Sequence, residues 1–138
     1  MKGTYCLVIF LEEPATIQVG RLGLMEFRPG HYVYVGSALS GLEGRIRRHL
    51  STGNASKKRF WHIDYLLEHG AITGIRKIIS PERLECSIAR KVGALSEAPV
   101  KGFGCSDCSC ETHLFSFPNN PLSKPEFEDI WAAERLRN

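Results

Sequence analysis

Long hydrophobic runs are what this sequence lacks first. The longest, Cys6 to Leu11, is far too short to cross a bilayer. A secretory leader is not expected either. Lys2 and the apolar stretch behind it imitate one, but the stretch ends in Glu12-Glu13-Pro14 and no small-residue cleavage site follows. A cytoplasmic protein without a membrane-spanning segment is therefore expected. Low-complexity tracts, internal repeats and long linkers are absent too, which excludes a disordered chain, a repeat array and a two-domain layout. Net charge is a modest +3, which permits nucleic acid as a partner without demanding it. Cysteines number five. An odd count, with Cys105, Cys108 and Cys110 crowded together, suits metal binding better than a secreted disulfide framework.

What remains is a chain of 138 residues, 43% hydrophobic, enough for one ordinary domain over 1–138. Alternating Tyr5, Leu7, Ile9 and Leu11 predict a strand over 3–11. Residues 16–27 carry a second strand or a hairpin, broken near Gly20 or Gly23. Arg28-Pro29-Gly30 is a turn, and His31 to Ser37 a β-branched and aromatic strand. Ser40-Gly41-Leu42-Glu43 has the capping-box pattern of a helix start; Leu42, Ile46 and Leu50 form its apolar stripe, and Gly53 its stop. A short helix follows near 61–69, then a strand over 72–79. Ser80-Pro81-Glu82 reads as the start of a helix with Leu84, Ile88 and Val92 on its core stripe and Gly93 at its end. A glycine- and cysteine-rich loop spans 102–112, followed by a strand over 113–117. Ser123-Lys124-Pro125-Glu126 opens a last helix over about 124–137. Strands and helices interleave, so the fold class is α/β: a small central sheet, mixed or antiparallel, flanked by helices.

Several residues can carry chemistry. Tyr34-Val35-Gly36 ends a strand, and the helix behind it presents Arg45 and His49 one turn apart. Tyrosine, arginine and histidine on adjacent elements suit attack on a phosphodiester. Tyr5, Tyr34 or His49 would handle a proton, and Arg45 would meet the phosphate in a bidentate fork. Arg45, Arg47, Arg48, Lys57, Lys58 and Arg59 lie close together with no acid among those positions from 45 to 59. They read either as a solvated face and loop or as a phosphate-tracking patch. Trp61 and His62 follow, one able to stack on a base, the other equally a buried structural imidazole. Cys105, Cys108, Cys110 and His113 could close a tetrahedral zinc site, or the cysteines could be small buried hydrophobes in a turn.

Together these tracts resemble the GIY-YIG nuclease superfamily. Gly3-Thr4-Tyr5 stands at the first motif, Tyr34-Val35-Gly36 at the second, and Arg45 with His49 at the arginine-x-x-x-histidine of the next helix. The nearest likeness is to the small branch found alone or fused to endonuclease-III-type DNA glycosylases, itself a domain of unknown function. Phe60 to Leu67 and the segment from Gly102 through Cys108, Cys110 and His113 to Phe115 match that branch's signatures. The resemblance implies a GIY-YIG-like fold and a metal-dependent DNA endonuclease, with DNA repair as its setting. It implies Tyr5, Tyr34, Arg45, His49 and Glu85 as catalytic residues, with one divalent ion, Mg²⁺ or Mn²⁺, on Glu85. A hard carboxylate suits such an ion, although Glu82 lies one turn back and could compete. The two motif tyrosines stand further apart here than is usual in the superfamily, so the extra segment, about 12–30, would form a hairpin inserted at the edge of the sheet. The asparagine many members carry downstream of the glutamate has no match, and Glu97 stands in that region. A non-catalytic nucleic-acid-binding module with the same fold is the alternative function, and a zinc-stabilised partner-binding protein a third.

Overall fold

A computed structural model describes residues 2–38, 40–51, 62–103 and 112–137, the side chains of 133–137 excepted. The chain runs through β1 (Gly3–Leu11), β2 (Ala15–Gln18), β3 (Leu24–Phe27), β4 (Gly30–Ala38), α1 (Leu42–Leu50), α2 (His62–Leu67), β5 (Ala71–Ile79), α3 (Glu85–Leu95), β6 (Ala98–Pro99), β7 (Leu114–Phe117) and α4 (Pro125–Arg137). Five strands form one sheet in the order β5-β1-β4-β7-β6, and each neighbouring pair is antiparallel. The α/β class holds, and the sheet is antiparallel rather than mixed. No helix among the described residues is long and apolar enough to cross a membrane.

β1 lies between β4 and β5, and its residues from Gly3 to Ile9 are all buried. Its alternation feeds two cores. Tyr5, Leu7, Ile9 and Leu11 face one side with Tyr32 and Tyr34 of β4, covered by α1, α2 and the β2–β3 hairpin. Cys6 and Val8 face the other with Val33 and Val35, covered by α3 and α4 through Ile88, Val92, Phe127 and Trp131. A strand buried on both faces tolerates no polar face, which explains why Cys6 and Val8 interrupt the simple apolar-polar alternation; Phe10, beyond the doubly buried stretch, is exposed.

Four boundary expectations need correction. The hairpin over 12–30 does not extend the sheet edge. β2 and β3 pair only with each other, and Ile17, Val19 and Phe27 drive them onto the first core. The capping box at Ser40 is not formed: Gly41 is the N-cap, at φ 65° and ψ 43°, with no side-chain hydrogen bond. That left-handed conformation is open to glycine at little cost, so the chain turns sharply from β4 into α1. Leu50 is 56% exposed, and His49 takes the buried place on the stripe beside Leu42 and Ile46. Ser80 does accept from the Glu82 amide at 3.1 Å, but α3 begins only at Glu85 and passes Gly93 to reach Leu95. Gly53 lies outside the described residues.

Candidate active site

The expected residues gather at the far end of β4. Tyr5 pairs across the sheet with Gly36, and Tyr34 with Leu7, so both phenols project from the same face. Their ring centroids are 6.4 Å apart. Gly36 makes room for this. A Cβ there would fall 2.6 Å from the Tyr5 hydroxyl and 2.7 Å from its Cζ, distances that side-chain atoms do not tolerate. The second glycine motif is thus a slot that seats the first motif's phenol.

α1 crosses this face and lowers two side chains onto it. His49, 2% exposed, places Nε2 at 2.7 Å from the Tyr5 hydroxyl. Its ring also meets Tyr34 edge-on at 6.3 Å. One turn earlier, Arg45 donates from Nη1 to the Ser37 carbonyl at 3.1 Å. Tyr5 and Tyr34 are 1% and 7% exposed. Burial pushes both phenols well above their ordinary pKa; Arg45 pulls the other way but is outweighed. Both are therefore neutral hydroxyls at physiological pH.

Glu85 does not share a face with the phenols and Arg45, as convergence on one concavity requires; it approaches from α3 on the opposite side of the sheet, and the two are joined only through Ser37. Alternation along β4 turns the Ser37 side chain toward the face that carries Val33 and Val35, away from the phenols. Its Oγ donates to Glu85 Oε1 at 2.5 Å, while its carbonyl accepts from Arg45. His113, just ahead of β7, brings Nδ1 to 2.6 Å from Glu85 Oε2. The His113 carbonyl accepts from the Val35 amide, which fixes that register beside β4. Burial raises the Glu85 pKa, but hydrogen bonds from His113 and Ser37 and the charges of His113 and Arg83 outweigh it. The carboxyl is held below its usual value and is ionised, with the Glu85 side chain 26% exposed.

The remaining expected residues divide. Arg47 is exposed on α1. Arg48, expected beside it as a phosphate contact, turns inward and grips buried Asp64 of α2 in a bidentate fork at 2.9 and 3.1 Å. His62 packs against Phe103 at 5.5 Å, and Phe103 touches Tyr34 at 6.4 Å. His62 thus joins an aromatic row running back to Tyr5, and burial lowers its pKa. Lys57, Lys58, Arg59 and Trp61 lie outside the described residues, as do Cys105, Cys108 and Cys110. Of the four zinc candidates only His113 is described, and its Nδ1 is turned to Glu85. Among the described residues, no three of His, Cys, Asp or Glu come together as a metal cluster. Glu82 is exposed and does not replace Glu85 at this place.

Sequence reasoning missed Ser37, Asp64 and the partnership of His113 with Glu85. Ser37 directly follows the second motif, and strand alternation placed its side chain on the face away from the phenols. No local pattern says what waits on that face. Asp64 was legible only as a helix carboxylate near a basic stretch.

No curated protein and no solved structure matches the chain. One family model, Domain of unknown function DUF123, matches residues 4–135, covering the strands, helices and side chains that build the site. The chain belongs to that family.

Proposed function

We propose that this chain is a metal-dependent DNA endonuclease of the GIY-YIG type, hydrolysing phosphodiester bonds. The observation that carries the reading is the meeting at Ser37: Arg45 and Glu85, from helices on opposite faces of the sheet, touch the same residue. One position back along β4, Gly36 seats the Tyr5–His49 pair. Four side chains from three elements thus adjoin the end of one strand.

The chemistry follows from the groups. Arg45 offers a guanidinium fork to a phosphate and to the charge that grows on it during attack. Tyr5 is too basic as a phenolate to be ionised beforehand. It can accept a proton from an attacking water only while passing its own to His49 Nε2, which lies in hydrogen-bond reach. The water's oxygen bonds to phosphorus, the bond to the leaving oxygen breaks, and that oxygen takes a proton from solvent. Glu85 fits a hard divalent ion. It is ionised and partly exposed, and the hydrogen bond from Ser37 together with the ion-pair contact to His113 leaves about half of its four lone-pair positions open. Mg²⁺ commonly keeps several waters beside one or two carboxylates. When bound, the ion would supply charge stabilisation near the leaving oxygen. The test is cleavage of plasmid, branched and damaged DNA with Mg²⁺ or Mn²⁺. Wild type should cut at least one substrate, and Arg45→Ala and Glu85→Gln should not. Failure of the wild type on all of them rejects the proposal.

A second reading has its own support. Tyr5 and Tyr34 are nearly inaccessible, and both Glu85 oxygens already have protein partners. A non-catalytic nucleic-acid module would keep this fold and bind through Arg45 and Arg47. Its binding would weaken steeply with salt and ignore divalent metal.

A further inference from the structure

We infer that Ser37 and His113 are positioning residues that aim Glu85 and set its affinity for a divalent cation; this rests on the metal-dependent reading above. The three residues come from three places in the chain: the end of β4, the approach to β7 and the first turn of α3. Each Glu85 oxygen has one partner, Oε1 at 2.5 Å from Ser37 Oγ and Oε2 at 2.6 Å from His113 Nδ1. A carboxylate on the first turn of a helix is ordinarily a swinging group with several rotamers. Here the Ser37 hydroxyl donates to one oxygen and the His113 ring nitrogen stands in close ion-pair contact with the other, which restricts the turning of the carboxylate. Neither partner is itself loose. His113 is buried, and its backbone N–H donates to the Phe103 carbonyl at 2.9 Å. Ser37 is held by Arg45 on its carbonyl and by pairing with Thr4.

Outer partners of a ligating carboxylate commonly alter metal affinity by about 10- to 100-fold when removed. Loss of the Ser37 hydroxyl or the His113 donor frees the carboxylate to rotate, and the ion must then restore that order on binding. This gives the Nδ1 of His113 a place beside Glu85.

The experiment measures Mn²⁺ binding to the full chain by electron paramagnetic resonance of the free ion, without DNA. The variants are Ser37→Ala, Ser37→Thr, His113→Asn and Glu85→Gln, and the melting temperature and zinc content of each are recorded. The expected pattern is a wild-type Kd that Glu85→Gln abolishes, weakened about 10- to 100-fold in Ser37→Ala and recovered in Ser37→Thr. His113→Asn keeps an N–H donor and should lie between wild type and Ser37→Ala. Ser37→Ala removes only a partly exposed hydroxyl, so it answers the question even if His113→Asn fails to fold. Wild-type affinity in Ser37→Ala, while Glu85→Gln loses the ion, overturns the positioning role and leaves the metal reading standing. No Mn²⁺ bound by the wild type overturns the metal reading and the inference with it. Stoichiometric zinc in the wild type that His113→Asn loses overturns the assignment of His113.

Discussion

The hydroxyl of Tyr5 lies 2.7 Å from Nε2 of His49, across 44 positions of sequence and between a strand and the helix that covers it. Tyr5→Phe removes that oxygen and keeps the ring. Its packing between Tyr34 and His49 should survive, so the fold should lose only about 1 kcal/mol. Cleavage should fall by about 10²-fold or more, in the range attributed to a lost proton-transfer group. Single-turnover rates on a substrate the wild type cuts would show it. An unchanged rate removes Tyr5 from the proton path.

Gly36 is the counterpart of that phenol. Gly36→Ala places a methyl where the Tyr5 hydroxyl and ring carbon now sit, 2.6 and 2.7 Å away. Tyr5 must move, and overpacking of this kind costs about 1–3 kcal/mol. Urea unfolding should show a lower midpoint, with partial recovery in the double variant Gly36→Ala/Tyr5→Phe. No shift in midpoint would mean that the slot is looser than the distances say.

Arg47 and Arg48 are neighbours in sequence with opposite duties. Arg48→Ala leaves Asp64 buried without its fork and should destabilise by about 3 kcal/mol. Arg47→Ala should leave stability unchanged within about 0.5 kcal/mol. It should instead reduce the salt dependence of DNA binding by about one unit of slope. Chemical unfolding and binding isotherms at several salt concentrations separate the two. Equal effects of both variants on binding alone contradict the inward role of Arg48.

The buried phenols give a pH signature. Their unfolded value is near 10.0, and burial raises it in the folded state for Tyr5 and Tyr34. As pH rises past 10 the unfolded chain releases protons that the folded one retains. Stability from these groups is therefore complete below pH 10 and declines as pH climbs toward the folded values. The urea midpoint should fall above about pH 10, and less so in Tyr5→Phe. Absorbance near 295 nm should show these phenols ionising only as the protein unfolds. Native protein titrating both near 10 contradicts their burial.

Much of the fold was legible because it rests on local alternation. β1 and β4 declare themselves by period two, and the stripe Leu84, Ile88, Val92 of α3 by period near four. Helix starts were harder, since Ser40 and Ser80 carry cap chemistry that the structure does not use as a helix cap. A left-handed Gly41 serves α1, and α3 starts a turn later at Glu85. The hairpin was foreseen but misplaced, because nothing local to Ile17 and Phe27 says whether they join a sheet or lie on one. The site was legible in its ends and not in its joint. Arg45, His49 and the two tyrosines announce themselves by residue type and spacing, whereas Ser37 gains its place only from the pairing of β1 with β4 and the packing of α3 behind them. Asp64 gains its role only from the packing of α2 under Arg48.

The convergence at Ser37 is tested most directly by a crystal soaked in Mn²⁺ and measured at the manganese absorption edge. The expected result is one anomalous peak within ligand distance of a Glu85 oxygen, at the end of β4 beside Ser37. A peak at the cysteine segment alone, or density showing Glu85 turned away from Ser37 with no ion beside it, would contradict a metal-assisted phosphodiester site.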